Sequence, residues 1–118
     1  IKRVHYLGSR PGIVLREREG ESVVELWGEI DISLRAEAGE VMSDAVERGL
    51  PVVLDTRKVA FMDSTGIAFL VQFVTLGRER GFSVALPDPP AAVVDVLEIV
   101  GVQGLFATGP RVIRRQSA

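Results

Sequence analysis

The run Pro51-Val52-Val53-Leu54 constrains this chain more than any other feature. It is continuously apolar, rich in β-branched residues and too short for a helix, so it reads as a central strand buried on both faces. Stretches of helical spacing stand on either side. Before it, Leu34, Ala38, Val41, Met42, Ala45 and Val46 recur at steps of three and four and stop at Gly49 and Pro51. After it, Ile67, Leu70, Val71 and Val74 continue the same spacing to Leu76 and Gly77, and Arg78-Glu79-Arg80 precede Gly81. Gly81 is a natural C′ stop, and arginines suit the negative end of a helix dipole. A buried strand between two crossover helices belongs to a mostly parallel sheet.

The remaining segments fit that plan. Ile13 and Leu15, then Val23, Val24, Leu26 and Ile30, lie in two β-rich runs separated by the charged Glu17-Arg18-Glu19-Gly20-Glu21-Ser22, which predicts a hairpin turning at Gly20. Residues 83–86 predict a short strand, Pro87-Asp88-Pro89-Pro90 breaks the chain, and Ala92, Val93, Val96, Leu97 and Val100 form a third helical stripe. Residues 105–107 predict a last edge strand. The order is β-β-α-β-α-β-α-β, an α/β fold with a mixed, mostly parallel sheet packed against helices. With 118 residues, 47% of them hydrophobic, there is room for one domain and one core. Residues 1–12 read as an N-terminal arm with a short strand at 4–7, residues 13–110 as the domain, and residues 111–118 as a C-terminal tail.

Composition removes many chemistries. There are no cysteines, so thiol catalysis, disulfides and Cys-based metal sites are excluded. His5 is the one histidine, which rules out a histidine metal cage and leaves a Ser-His-Asp triad only that ring. No cofactor or metal is therefore expected. Fourteen basic and sixteen acidic residues are mixed along the chain, a net charge of -2, so no broad positive face awaits nucleic acid. The longest nearly apolar stretch, residues 67–76, is half a bilayer span, and no leader precedes the first strand. The expectation is a soluble, cytoplasmic protein without membrane or direct nucleic-acid partners.

Enzyme motifs fail in turn. No Gly is followed by Lys and Ser or Thr as in a phosphate-binding loop. Asp55 after Val53-Leu54 offers the strand-end aspartate of a receiver domain, but the acidic pair and late lysine are missing, since no lysine follows Lys58. Met62 stands where a serine-hydrolase elbow needs its first Gly. The chain is not expected to be an enzyme.

Attention then falls on Asp63-Ser64-Thr65-Gly66, where an apolar segment becomes an apolar helix. Read structurally, the block is an N-cap, because Asp and Ser oxygens accept the orphan N–H groups of a first turn. Read functionally, that turn offers free N–H groups and a positive dipole end to a phosphate. The following helix is apolar nearly all round, so either both faces are buried or some of Ala68, Phe69 and Phe73 meet a partner. Asp31 reads as a cap or Asx-turn opening the first helix, and Asp55 as a structural residue at a strand end.

Four blocks carry a resemblance: Leu26-Trp27-Gly28-Glu29-Ile30-Asp31, Val52-Val53-Leu54-Asp55, Val59-Ala60-Phe61-Met62-Asp63-Ser64-Thr65-Gly66, and Leu97-Glu98-Ile99-Val100-Gly101-Val102-Gln103-Gly104-Leu105-Phe106. In order and spacing they resemble the STAS domain over residues 13–108, and in particular bacterial anti-sigma factor antagonists. The resemblance implies that Ser64 is phosphorylated by an anti-sigma factor that is itself an ATP-dependent serine kinase. Unphosphorylated antagonist binds that factor and frees the sigma factor; the phosphorylated form does not bind, and a metal-dependent serine phosphatase resets it. It further implies a partner surface of Asp31, Asp63, Ser64, Thr65 and Gly66, to which the all-round apolar helix adds Phe69. Asp63 would orient the serine or the kinase contact, Thr65 support the turn, and Gly66 let the kinase backbone approach. The chain departs from the pattern in its arm and at Ala92-Val93-Val94-Asp95, where relatives often carry basic residues. STAS domains also serve as scaffolds of stress-sensing complexes and as regulatory modules of anion transporters, the alternative reading.

Overall fold

The computed structural model describes residues 10–101 together with Gly104 and Phe106. The expected arm, with its strand at residues 4–7, lies outside the described residues except for its last three positions, and the tail at 111–118 lies wholly outside them. Strands β1 (Gly12–Arg18) and β2 (Glu21–Ile30) form the hairpin, with Arg18 paired to Glu21 and Gly20 at φ 75° completing the turn. That backbone angle is open to glycine at little cost. A short 3-10 turn, Ile32–Leu34, leads into α1 (Arg35–Arg48). Then follow β3 (Val52–Met62), α2 (Ser64–Arg80), β4 (Val84–Ala85) and α3 (Ala91–Val100). Both helix stops fall where glycine predicts them. Gly49 and Gly81 adopt left-handed backbone and donate to the Ala45 and Gly77 carbonyls at 3.1 and 2.8 Å.

The sheet runs β1-β2-β3-β4, with the first pair antiparallel and the other two parallel. Since β2, β3 and β4 advance in one direction across it, right-handed crossovers deliver α1 and α2 to the same face. The contacts agree: α1 packs on β1 and β2, α2 and α3 pack on β3, and α2 touches both other helices. The molecule is therefore two layers, which corrects the expectation that β3 is covered on both sides. Val52 and Leu54 are buried, whereas Val53 on the opposite face is only half-buried. The core between the layers holds Leu26, Ile30, Leu54, Met62, Leu70 and Phe73, each contributing about 1.5–3 kcal/mol by leaving water.

β3 also differs in length from its apolar run. It continues past Asp55 for eleven residues in all, so Asp55 sits mid-strand and not at a carboxyl end. The register explains how. Pairing steps from Glu25 opposite Asp55 to Trp27 opposite Lys58, and from Gly28 opposite Val59 to Glu29 opposite Phe61, one additional β3 residue each time. Each irregularity shifts the phase of the strand, so the buried positions run Val52, Leu54, Thr56, Val59, Met62. The last strand expected at residues 105–107 falls on positions of which Phe106 alone is described, in a bend and buried.

Candidate functional site

β2 and β3 end side by side, Ile30 opposite Met62, and the Asp63 N–H donates to the Ile30 carbonyl at 3.3 Å. Beyond each strand end stands an aspartate in extended backbone, and the two do the same local work. Asp31 Oδ1 accepts from the Ser33 N–H at 3.0 Å and the Ser33 hydroxyl at 2.6 Å, capping the 3-10 turn. Asp63 Oδ1 accepts from the Thr65 and Gly66 N–H groups at 2.9 and 3.2 Å, capping α2. The Ser33 hydroxyl, then the Ser33 N–H, holds the Asp31 carboxyl below its ordinary value, so it is a carboxylate at neutral pH. The carboxyl ends of parallel strands are where α/β sheets place their sites.

Ser64 is the first residue of α2, exposed, and its hydroxyl has no hydrogen-bond partner among the described residues. A free hydroxyl on a rigid helix start is open to an incoming group. The turn beneath it is less open than the sequence suggests. Asp63 already takes two of the N–H groups that a phosphate was expected to find, and the Ile67 N–H is bonded to the Asp63 carbonyl at 3.1 Å.

Three expected partner contacts change character. Thr65 supports the turn through its backbone N–H, which donates to Asp63. Gly66 is buried, and a Cβ there would overlap the Met62 side chain and come within 3.1 Å of Ile30 Cγ2. The missing side chain makes room for the chain's own core rather than for a partner backbone. Phe69 is 7% exposed, packed edge to face on the fully buried Phe73 with ring centroids 5.1 Å apart, so it does not stand on an outer face. It lines a groove of about 340 Å³ between α1 and α2, with Ile13, Leu34 and Met42. Of the three candidates Ala68, Phe69 and Phe73, Ala68 alone is exposed.

Sequence reasoning missed two residues at this end of the sheet. Ile32 is 59% exposed and Phe61 52% exposed, one beside Asp31 and the other two residues before Asp63. For Ile32 the signal was its place directly after the capping Asp31; for Phe61 strand phase gave none, because the irregularities in β3 reset the alternation. Asp55, in contrast, is held in an ion pair with Arg57 at 2.9 Å, which keeps its carboxyl below the ordinary range. Among the described residues no acidic or histidine cluster could hold a metal, and no helix is long and apolar enough to cross a membrane.

Comparison with known proteins places this geometry. The anti-sigma-B factor antagonist of Bacillus subtilis (strain 168) is 23% identical over 92 residues, 78% of this chain and 84% of that protein. An anti-sigma factor antagonist from Mycobacterium paratuberculosis superposes with a TM-score of 0.74 at 23% identity, covering 88% of this chain and 89% of that one. The Bacillus cell fate determinant SpoIIAA in its phosphorylated form superposes with a TM-score of 0.66 at 17% identity, covering 85% and 93%. The family profile described as "Mlab, STAS domain" matches residues 13–108. Together with the paired strand ends and the capped serine helix, that match over most of the chain shows that the protein belongs to the STAS domain family.

Proposed function

We propose that this chain is an anti-sigma factor antagonist whose switch is Ser64. The observation that carries the reading is the Ser64 hydroxyl: exposed, unpartnered among the described residues, and fixed at the helix start that Asp63 caps. The names of the relatives supply the class of partner. In the unphosphorylated state the surface around Asp31, Asp63 and Ser64 binds an anti-sigma factor and displaces its sigma factor. The anti-sigma factor is also a serine kinase. Ser64 Oγ attacks the γ-phosphorus of ATP, its proton passes to a base of the kinase, and ADP leaves. The product then carries about -1.5 to -2 charge against the nucleotide phosphates of the kinase, and the complex separates. A serine phosphatase restores the hydroxyl. This chain is the substrate in each step and turns nothing over itself, and the cycle runs in the cytoplasm, where the kinase finds ATP.

The test is incubation of the purified chain with each anti-sigma-type serine kinase of its own organism and Mg-ATP, with phosphate mapped by mass spectrometry. The reading requires one kinase that modifies Ser64 and none of whose product forms on Ser64→Ala. Phosphate on another residue, or on none with every such kinase, contradicts it.

A further inference from the structure

Three large hydrophobic residues are markedly exposed among the described residues, and two of them, Ile32 and Phe61, stand at the serine end of the sheet. The chain itself holds them close to Ser64. Phe61 is three residues before the serine, a reach of at most about 10 Å. Ile32 is two residues beyond Ile30, whose carbonyl is tied to the Asp63 N–H at 3.3 Å. They therefore stand at the ends of adjacent strands, Phe61 paired with Glu29 one step before the Ile30–Met62 pair and Ile32 two residues past it, with the serine following on from the β3 end. Neither serves the fold: Met62 and Ile30 fill the core beneath, fully buried, and a polar residue at either exposed position would cost the monomer little. Around them, Glu29 is exposed and Asp31 half-exposed, and neither carboxylate meets a cation among the described residues.

We infer that Ile32 and Phe61 are the apolar anchors by which this chain docks on its kinase, entering an apolar depression bordered by cationic side chains. The inference rests on the proposed function and deepens it by naming the contact that holds Ser64 at the nucleotide. Buried apolar anchors surrounded by a polar rim are how a few residues carry most of an interface. The partner's cations answer Glu29 and Asp31. An apolar pair with an acidic border fits a second copy of this chain poorly, because the symmetric contact would set those carboxylates against their own copies.

The experiment uses the kinase that modifies Ser64 in wild-type protein, loaded with ADP, and measures its affinity for wild type, Ile32→Thr, Phe61→Thr and Ile99→Gln. Threonine keeps β-propensity at Phe61 in β3 and the branched Cβ at Ile32 in the 3-10 turn, and circular dichroism melts verify the fold. Each threonine variant should bind roughly tenfold or more weakly and be phosphorylated with a raised KM, while Ile99→Gln, the third exposed residue, matches wild type. Undiminished binding by both threonine variants beside a normally phosphorylated wild type overturns the inference alone. An equal loss in Ile99→Gln overturns it too, as does self-association of wild type in sedimentation that Phe61→Thr abolishes. A wild type that no kinase modifies removes the functional reading and this inference together.

Discussion

Gly66 lies so close over Met62 that a Cβ would overlap the Met62 side chain, with Ile30 Cγ2 only 3.1 Å away. The first turn of α2 thereby rests on the ends of β2 and β3, and the position of Ser64 is inherited from that contact. Gly66→Ala gains up to about 1 kcal/mol of helix propensity but must push aside a fully buried methionine, which costs about 1–3 kcal/mol. Urea denaturation should show net destabilisation. A variant as stable as wild type would mean that Met62 yields freely.

Asp63 and Asp31 cap neighbouring turns by the same geometry, but Asp63 supports the longer element. Asp63→Ala leaves the Thr65 and Gly66 N–H groups without their acceptor and should cost about 0.5–2 kcal/mol. Asp63→Asn keeps an acceptor oxygen and should lose less. Equal melting temperatures for Asp63→Ala and wild type would contradict the capping role.

Thr56 lies at 0% exposure in β3, and its hydroxyl has no hydrogen-bond partner among the described residues. Valine has nearly the same shape without the stranded oxygen. Thr56→Val should stabilise the protein by about 1 kcal/mol in the same denaturation assay. Destabilisation would show that the hydroxyl is satisfied in solution.

The secondary structure was legible wherever one residue type forces one conformation. Gly49 and Gly81 end helices and Gly20 turns the hairpin, because left-handed backbone is cheapest for glycine. Ser64 was legible as the start of a capped helix. The course of β3 was not: Asp55, Arg57 and Lys58 look like a loop after an apolar strand, and nothing local announces the two register shifts that carry the strand on to Met62. The same shifts concealed Phe61. Phe69 was misread because a helix apolar all round does not say which side neighbouring helices cover, and here α1 and α3 both flank it.

Acid should release the Asp55–Arg57 pair first of all by protonating Asp55. Hydrogen bonding from Arg57 lowers the folded pKa below the ordinary 3.8, so the pair's contribution is present above about pH 4 and is lost as pH falls through the folded value. With Arg57 67% exposed, the contribution is that of a surface pair, about 0.2–1 kcal/mol. Asp55→Asn should melt slightly below wild type at neutral pH, and the gap should close as pH is lowered through the acid range. A gap that widens towards acid would contradict the sign.

In the proposed switch, the charge state of Ser64 should act at the interface while leaving the monomer nearly unchanged. The serine is exposed and its turn is already capped by Asp63, so Ser64→Ala, Ser64→Asp and phosphorylated protein should all melt close to wild type. The most direct measurement is calorimetric titration of unphosphorylated and Ser64-phosphorylated protein into the ADP-bound anti-sigma factor kinase. Binding about a hundredfold or more weaker for the phosphorylated form, with matching melts, is the predicted result. Equal affinity for the two forms would contradict the switch.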